Sequence, residues 1–287
     1  VSIRIGEISY TNIIPAFHFL NKRKLESQGC LFYPKVPAQL NEGIKEGSID
    51  AAGISSFAYG ENAGNLELLP DLSVSSYGKV GSILFFSKKR MEELEGSSIA
   101  LTSSSATSVH LLKVILAEFY GLKRIDYQTM QPDSETMKAE HDAFLLIGDD
   151  AIRESWNPDP SLYCYDLGEL WYKHTGLPMT YAVFAVRNEA SENEPDIIKS
   201  LFKAFHYSKA LSLYSCFEQM IRDVQIEHGG SPDFWDNYFR GLHYDFRERE
   251  KQGLLYYFKL LYKYDFFKTP VNHIQLWTAG NEVQYLF

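Results

Sequence analysis

The chain has 287 residues, about 45% of them hydrophobic, with 28 basic against 37 acidic side chains and a formal net charge of -9. That is the composition of a folded protein with one large or two moderate cores. The acidic balance excludes a nucleic-acid partner, which needs a basic face, but not a small anion, which reads only the local potential. No apolar run reaches the ~18 residues of a membrane span, so no membrane partner is expected.

The first half alternates short apolar runs with amphipathic helices. Ile3–Ile8 reads as a strand, and 13–20 as a helix with a proline in its first turn and Asn12 as its cap. A strand at 31–33, a helix over Pro37–Glu46 closed by Gly47, a strand at 51–54 and a helical turn at 55–62 follow. Val80–Ser87 is a further apolar run and 99–101 a further strand. Between Thr107 and Phe119 the apolar residues Val109, Leu112, Ile115, Leu116 and Phe119 mark a helix with one buried face, ended by Gly121. Strands are expected at 125–129, 143–147, 162–165 and 181–186, with a helix around 170–174. The order favours an α/β protein with mostly parallel sheets covered on both faces. From Asp196 the texture becomes helical and rich in Phe and Tyr at three- and four-residue spacing, as buried helix faces require.

Cys30, Cys164 and Cys216 are odd in number and scattered, which fits buried thiols in a reducing compartment and neither a disulfide framework nor a metal cluster. With no basic, apolar leader in the stretch at hand, a cytoplasmic location is expected. No phosphate loop, zinc-helix motif or nucleophile elbow occurs, so neither cofactor nor metal is expected.

The sharpest local feature is Thr102-Ser103-Ser104-Ser105-Ala106-Thr107-Ser108, six hydroxyls in seven positions just before a helix. Free N–H groups at a helix N-terminus with hydroxyls beside them suit a carboxylate or phosphate; one hydroxyl would suffice as a cap. Asn12 follows the first strand, and Ser55 and Ser56 the third, where open parallel sheets bind ligands. Asn12 either caps its helix or faces the ligand. Asp149 and Asp150 follow a strand in the same way, with a capping role as the simpler alternative. Ser82, in Gly78-Lys79-Val80-Gly81-Ser82-Ile83, lies where the chain would cross between lobes. His110 reads as a surface or packing residue.

Taken in order, Tyr10-Thr11-Asn12-Ile13-Ile14-Pro15, Ser55-Ser56, Gly78–Ile83, Thr102–Ser108, Leu146-Ile147-Gly148-Asp149, Tyr165–Trp171 and Thr175–Pro178 resemble the chorismate dehydratases of the futalosine route to menaquinone. The resemblance implies a type II periplasmic-binding-protein scaffold, with residues 1–85 and 187–287 in one lobe and 86–186 in the other. It implies loss of water from chorismate, a small dianion, to give 3-[(1-carboxyvinyl)oxy]benzoate. It places Asn12 and Ser82 on the family's active-site asparagine and serine, and Ser105, Thr107 and Ser108 on its carboxylate-binding loop; Ser56 and Asp149 are expected to line the same cleft. Two positions depart from the pattern: Thr11 stands where leucine is usual, and Gly81 where a larger residue is common. The alternatives are a 1,4-dihydroxy-6-naphthoate synthase and a non-catalytic anion-binding protein on the same scaffold.

Overall fold

The computed structural model describes residues 2–8, 10–215 and 217–278; Cys216 lies outside them. The chain opens with strand β1 (Ile3–Ile8), a 3-10 turn (Thr11–Ile13) and the short helix α1 (Ile14–Phe17), then α2 (Lys22–Ser27), β2 (Cys30–Lys35), α3 (Pro37–Glu46), β3 (Ala51–Ser55), α4 (Ser56–Glu61) and β4 (Leu66–Ser76). It crosses to a second sheet through β5 (Ile83–Ser87), β6 (Ser98–Thr102), α5 (Ala106–Phe119), β7 (Asp126–Met130), α6 (Ser134–Glu140), β8 (Ala143–Ile147), α7 (Gly148–Ser155), β9 (Tyr163–Asp166) and α8 (Leu167–Thr175). It returns through β10 (Met179–Arg187) and ends in α9 (Asn188–Asn193), α10 (Pro195–Tyr214), α11 (Glu218–His228), α12 (Pro232–Gly241) and α13 (Glu248–Lys263).

The two five-stranded sheets have the same plan, β2-β1-β3-β10-β4 and β7-β6-β8-β5-β9. In each, one strand runs against its neighbours: β10 against β3 and β4, β5 against β8 and β9. The cause is the crossing itself. Strands followed by helices run toward the seam between the lobes, whereas a strand arriving from the other lobe enters at the seam and runs away from it. The sheets are therefore mixed.

The lobe limits expected at 85/86 and 186/187 need correction. The first cuts through β5, which lies wholly in the second sheet, and the second leaves all but the last residue of β10 on the wrong side. The crossings fall before Ile83 and before Met179. The helix expected at 13–20 is also shorter, because Asn21 accepts the Lys24 amide and starts α2 instead. The 3-10 turn and α1 have no side-chain cap, so Asn12 is not one.

The aromatic tail supplies core, as its spacing implies: Trp235, Phe239, Tyr257 and Phe258 are fully buried, each contributing roughly 1.5–3 kcal/mol by burial. It does more than cover the first sheet. Helix α10 sits on α1, with the Ser208 and Ser212 hydroxyls donating to the Pro15 carbonyl at 3.0 Å. Helices α12 and α13 reach across the seam, where Trp235 meets Trp156 of the second lobe and the Tyr257 hydroxyl donates to the Thr107 carbonyl at 3.0 Å.

Candidate active site

A cavity of about 60 Å³ lies between the two sheets. The carboxyl ends of β1, β3, β6 and β8 and the first residues of β5 and β10 surround it, which is where this topology gathers loops and helix N-termini. Asn12 and Tyr10 reach it from the turn after β1, Ser55 from the end of β3, and Ser82 from the crossing before β5. Ser104, Ser105 and Ser108 reach it from the start of α5. None of the described residues lining it is Asp, Glu, Lys, Arg or His.

Ser105 is the N-cap of α5: its Oγ accepts the Ser108 amide at 3.2 Å and donates to Ser108 Oγ at 3.1 Å, which leaves the Ser108 proton for the cavity. The first-turn N–H groups of Ala106 and Thr107 have no intrahelical acceptor, so a helix start with free donors stands where the hydroxyl-rich segment placed one. The Asn12 side chain lines the cavity and bonds to no other group among the described residues. Ser82 is buried, accepts the Tyr238 hydroxyl at 3.0 Å, and holds the Gly148 amide on its carbonyl at 2.7 Å.

Three expected site residues are placed elsewhere. The Ser56 hydroxyl is fully buried and donates to the Thr180 carbonyl at 2.8 Å, tying α4 to β10; its neighbour Ser55 faces the cavity instead. Thr107 turns away from the cavity, and its Oγ1 accepts the Phe57 amide of α4 at 2.9 Å. A threonine one position past the first helical residue projects about 100° round the helix from its neighbours, and here that direction is the opposite lobe. Thr107→Val should therefore cost about 1–3 kcal/mol of stability by orphaning a buried N–H, with KM unchanged; denaturant unfolding beside steady-state kinetics checks both halves.

Asp149 is the third. It sits in the first turn of α7 outside the cavity lining and accepts the Thr11 hydroxyl at 2.7 Å, with His228 Nδ1 3.9 Å from its other oxygen. Burial pushes its pKa up, and the Thr11 hydrogen bond pulls it back. Thr11, buried at the departure from leucine, thus joins the lobes through a polar bond. Gly81 is explained by its backbone: φ is +72°, a conformation side chains disfavour, and a Cβ there would lie 3.4 Å from the Tyr238 ring.

Several lining residues were not among the expected ones. Tyr10 crosses the seam, its ring lying where a Gly148 side chain would be and its hydroxyl bonded to Ser104; burial raises its pKa. Asn41, from the middle of α3, exchanges two 3.3 Å hydrogen bonds with Ser55. Tyr181 lines the cavity from β10 and is bonded to Ser76 at 2.8 Å. Tyr10 had a usable signal, adjacency to the Asn12 motif, whereas Asn41 looks like any polar residue on an amphipathic helix.

His110 is a packing residue. Its ring stacks on Phe57 at 4.0 Å, Nδ1 bonds the Ala106 carbonyl at 2.8 Å, and burial lowers its pKa to about 4 from 6.5. The fold therefore holds it neutral, and its contribution is complete above pH 6.5 and lost as pH falls through about 4. The full loss is up to about 3 kcal/mol, so His110→Gln should flatten the acid limb of the stability profile between those limits, measured by denaturant unfolding at each pH.

The sequence model of a menaquinone-biosynthesis family matches residues 3–263. The chain belongs to this family. It is 32% identical to a chorismate dehydratase of Thermus thermophilus over 265 residues, 87% of this chain and 92% of the relative. It is 29% identical to a chorismate dehydratase of Campylobacter jejuni over 227 residues, 77% and 83% of the two chains. A solved protein of Archaeoglobus fulgidus superposes with a TM-score of 0.73 at 17% identity, covering 93% of this chain and 98% of that one. The periplasmic aliphatic sulphonate-binding protein of Escherichia coli superposes at 0.69 with 15% identity, covering 94% and 95%. These last two likenesses are of fold: the family is built on a type II periplasmic-binding-protein scaffold.

Proposed function

We propose that this chain removes water from chorismate to give 3-[(1-carboxyvinyl)oxy]benzoate. The observation that carries this reading is a cavity between the lobes of a chorismate-dehydratase family member whose polar side chains, among the described residues, are all neutral hydroxyls and amides. A dianionic substrate is suited to the α5 N-terminus with Ser105 and Ser108 on one side and Asn12 and Ser82 on the other.

Asn12 is no base and no carboxylate among the described residues lines the cavity, so the proton acceptor in this proposal is the substrate's own enolpyruvyl carboxylate. It takes the ring proton at C3, the C4–oxygen bond breaks, and the same proton leaves with the hydroxyl as water, which regenerates the carboxylate and leaves an aromatic ring. Donors about the ring carboxylate stabilise the charge that the diene delivers to it, and orientation with exclusion of water supplies the rest. A cavity of about 60 Å³ is smaller than the roughly 150 Å³ that holds benzene, so the lobes part for entry.

Incubation with chorismate, followed by ultraviolet absorption and proton NMR, tests the reading. The expected result is stoichiometric appearance of the 3-substituted benzoate; tight binding without turnover would assign the chain to non-catalytic binding. Inertness toward chorismate, with cyclisation of a futalosine-derived substrate, would assign it to the naphthoate synthases.

A further inference from the structure

We infer that Tyr238 is a positioning residue that sets the direction of the Ser82 hydroxyl, and so makes Ser82 a donor into the cavity. The inference rests on the proposed reaction for its consequence and on geometry for its substance. A phenol carries one proton, and Tyr238 donates it to Ser82 Oγ at 3.0 Å. The serine oxygen then acts as acceptor toward the tyrosine, and its own proton has no other protein acceptor among the described residues. The open direction is the cavity that Ser82 lines.

The tyrosine is held for this task. It is 6% exposed on α12, with Trp235 at 5.7 Å between ring centroids, Phe234 at 6.2 Å and Phe239 at 5.4 Å. On the remaining side the ring lies against Gly81, where even a Cβ would come within 3.4 Å. Gly81 thus supplies the positive φ of +72° that sets the crossing beside the ring, a Cβ there being only in ordinary contact with it. The Ser82 carbonyl, fixed by the Gly148 amide at 2.7 Å, keeps the main chain from turning to undo the arrangement.

In the proposed dehydration, a serine proton aimed into the cavity meets the departing hydroxyl as charge builds on it. No proton need be transferred from Ser82 or Tyr238, since the one taken from C3 completes the water. Tyr238 therefore acts through Ser82, and its removal should appear in the chemical step and not in ground-state affinity.

The test is a double-mutant cycle of Tyr238→Phe and Ser82→Ala in the full chain, with thermal unfolding as a check on folding. Tyr238→Phe keeps the packed ring and removes the donor. It should lower kcat by about 5- to 50-fold with KM moving less than about twofold, a smaller loss than the roughly 10²–10³ seen when a donor that itself touches the reacting oxygen is removed. In the Ser82→Ala background the same change should have no further effect, because the oxygen it acts through is gone. Equal losses in both backgrounds, or full activity in the single variant, would overturn the inference. If the parent binds chorismate without turning it over, the proposed reaction fails first. The four proteins are then compared by thermal unfolding, where a loss from Tyr238→Phe confined to the proteins that keep Ser82 supports the positioning bond and additive or absent losses reject it. A parent that neither binds nor converts chorismate sinks both.

Discussion

Asn12→Asp lowers kcat/KM for chorismate by about one hundredfold or more, equivalent to about 2.8 kcal/mol at tenfold per 1.4 kcal/mol, with little change in thermal stability. The side chain caps no helix and lines the cavity with its amide bonded to none of the described residues, so no described part of the fold depends on the amide. An aspartate of the same size removes a donor and sets a negative charge against a dianion. Kinetics across pH 5–9, with unfolding as control, checks it. Near-parental activity would remove Asn12 from the substrate-contacting set, and a faster aspartate enzyme would put position 12 where a base acts.

Asp166→Ala destabilises the protein by about 3–5 kcal/mol, a fall in Tm on the order of 10 °C for a chain this long. The buried carboxylate caps α8 by accepting the Gly168 amide at 2.9 Å and the Glu169 amide at 3.1 Å. It also accepts the Val80 amide at 3.1 Å and the Gly81 amide at 2.7 Å, from the crossing between lobes. Alanine leaves four main-chain donors without an acceptor, two of them beside Ser82, so kcat should fall along with stability. Asp166→Asn, which retains one acceptor oxygen, should lose roughly half as much; calorimetry on both variants checks the order. A loss of less than about 1 kcal/mol in the alanine variant would mean that water replaces the carboxylate.

Most of the strands and the hydroxyl-bearing start of α5 were legible because they depend on local pattern: β1 and β8 have the expected limits, and α5 begins one residue early. What local pattern lacks is direction. It marked a hydroxyl-rich helix start but not that Thr107 turns to the other lobe, and it offered Ser55 and Ser56 alike at the end of the third strand where only Ser55 lines the cavity. The lobe limits were misplaced for a related reason: β5 and β10 each belong with the sheet beyond the crossing, and an apolar run does not record which sheet it joins. Asn41 and Tyr181 meet the site only through tertiary packing.

Strand β4 was not anticipated at all. Leu66–Ser76 contains Pro70, Asp71 and the three serines Ser73, Ser75 and Ser76, which do not read as a sheet, and Asp71 has φ of +56° within a bulged pairing. Its strand neighbour in the sheet is β10, about a hundred residues later (Ser76 to Met179), and its other edge bonds the still later His243, Tyr244 and Gln275. During synthesis the second sheet, continuous from β5 to β9, has all its strands before β10 is made, while β4 waits with its main-chain donors unmatched. An apolar strand in that position would be a template for pairing with another copy. Proline, a charge and serines are the residues that discourage such pairing. The feature that conceals this strand from pattern reading is thus also what lets the nascent chain carry it safely until its partner emerges.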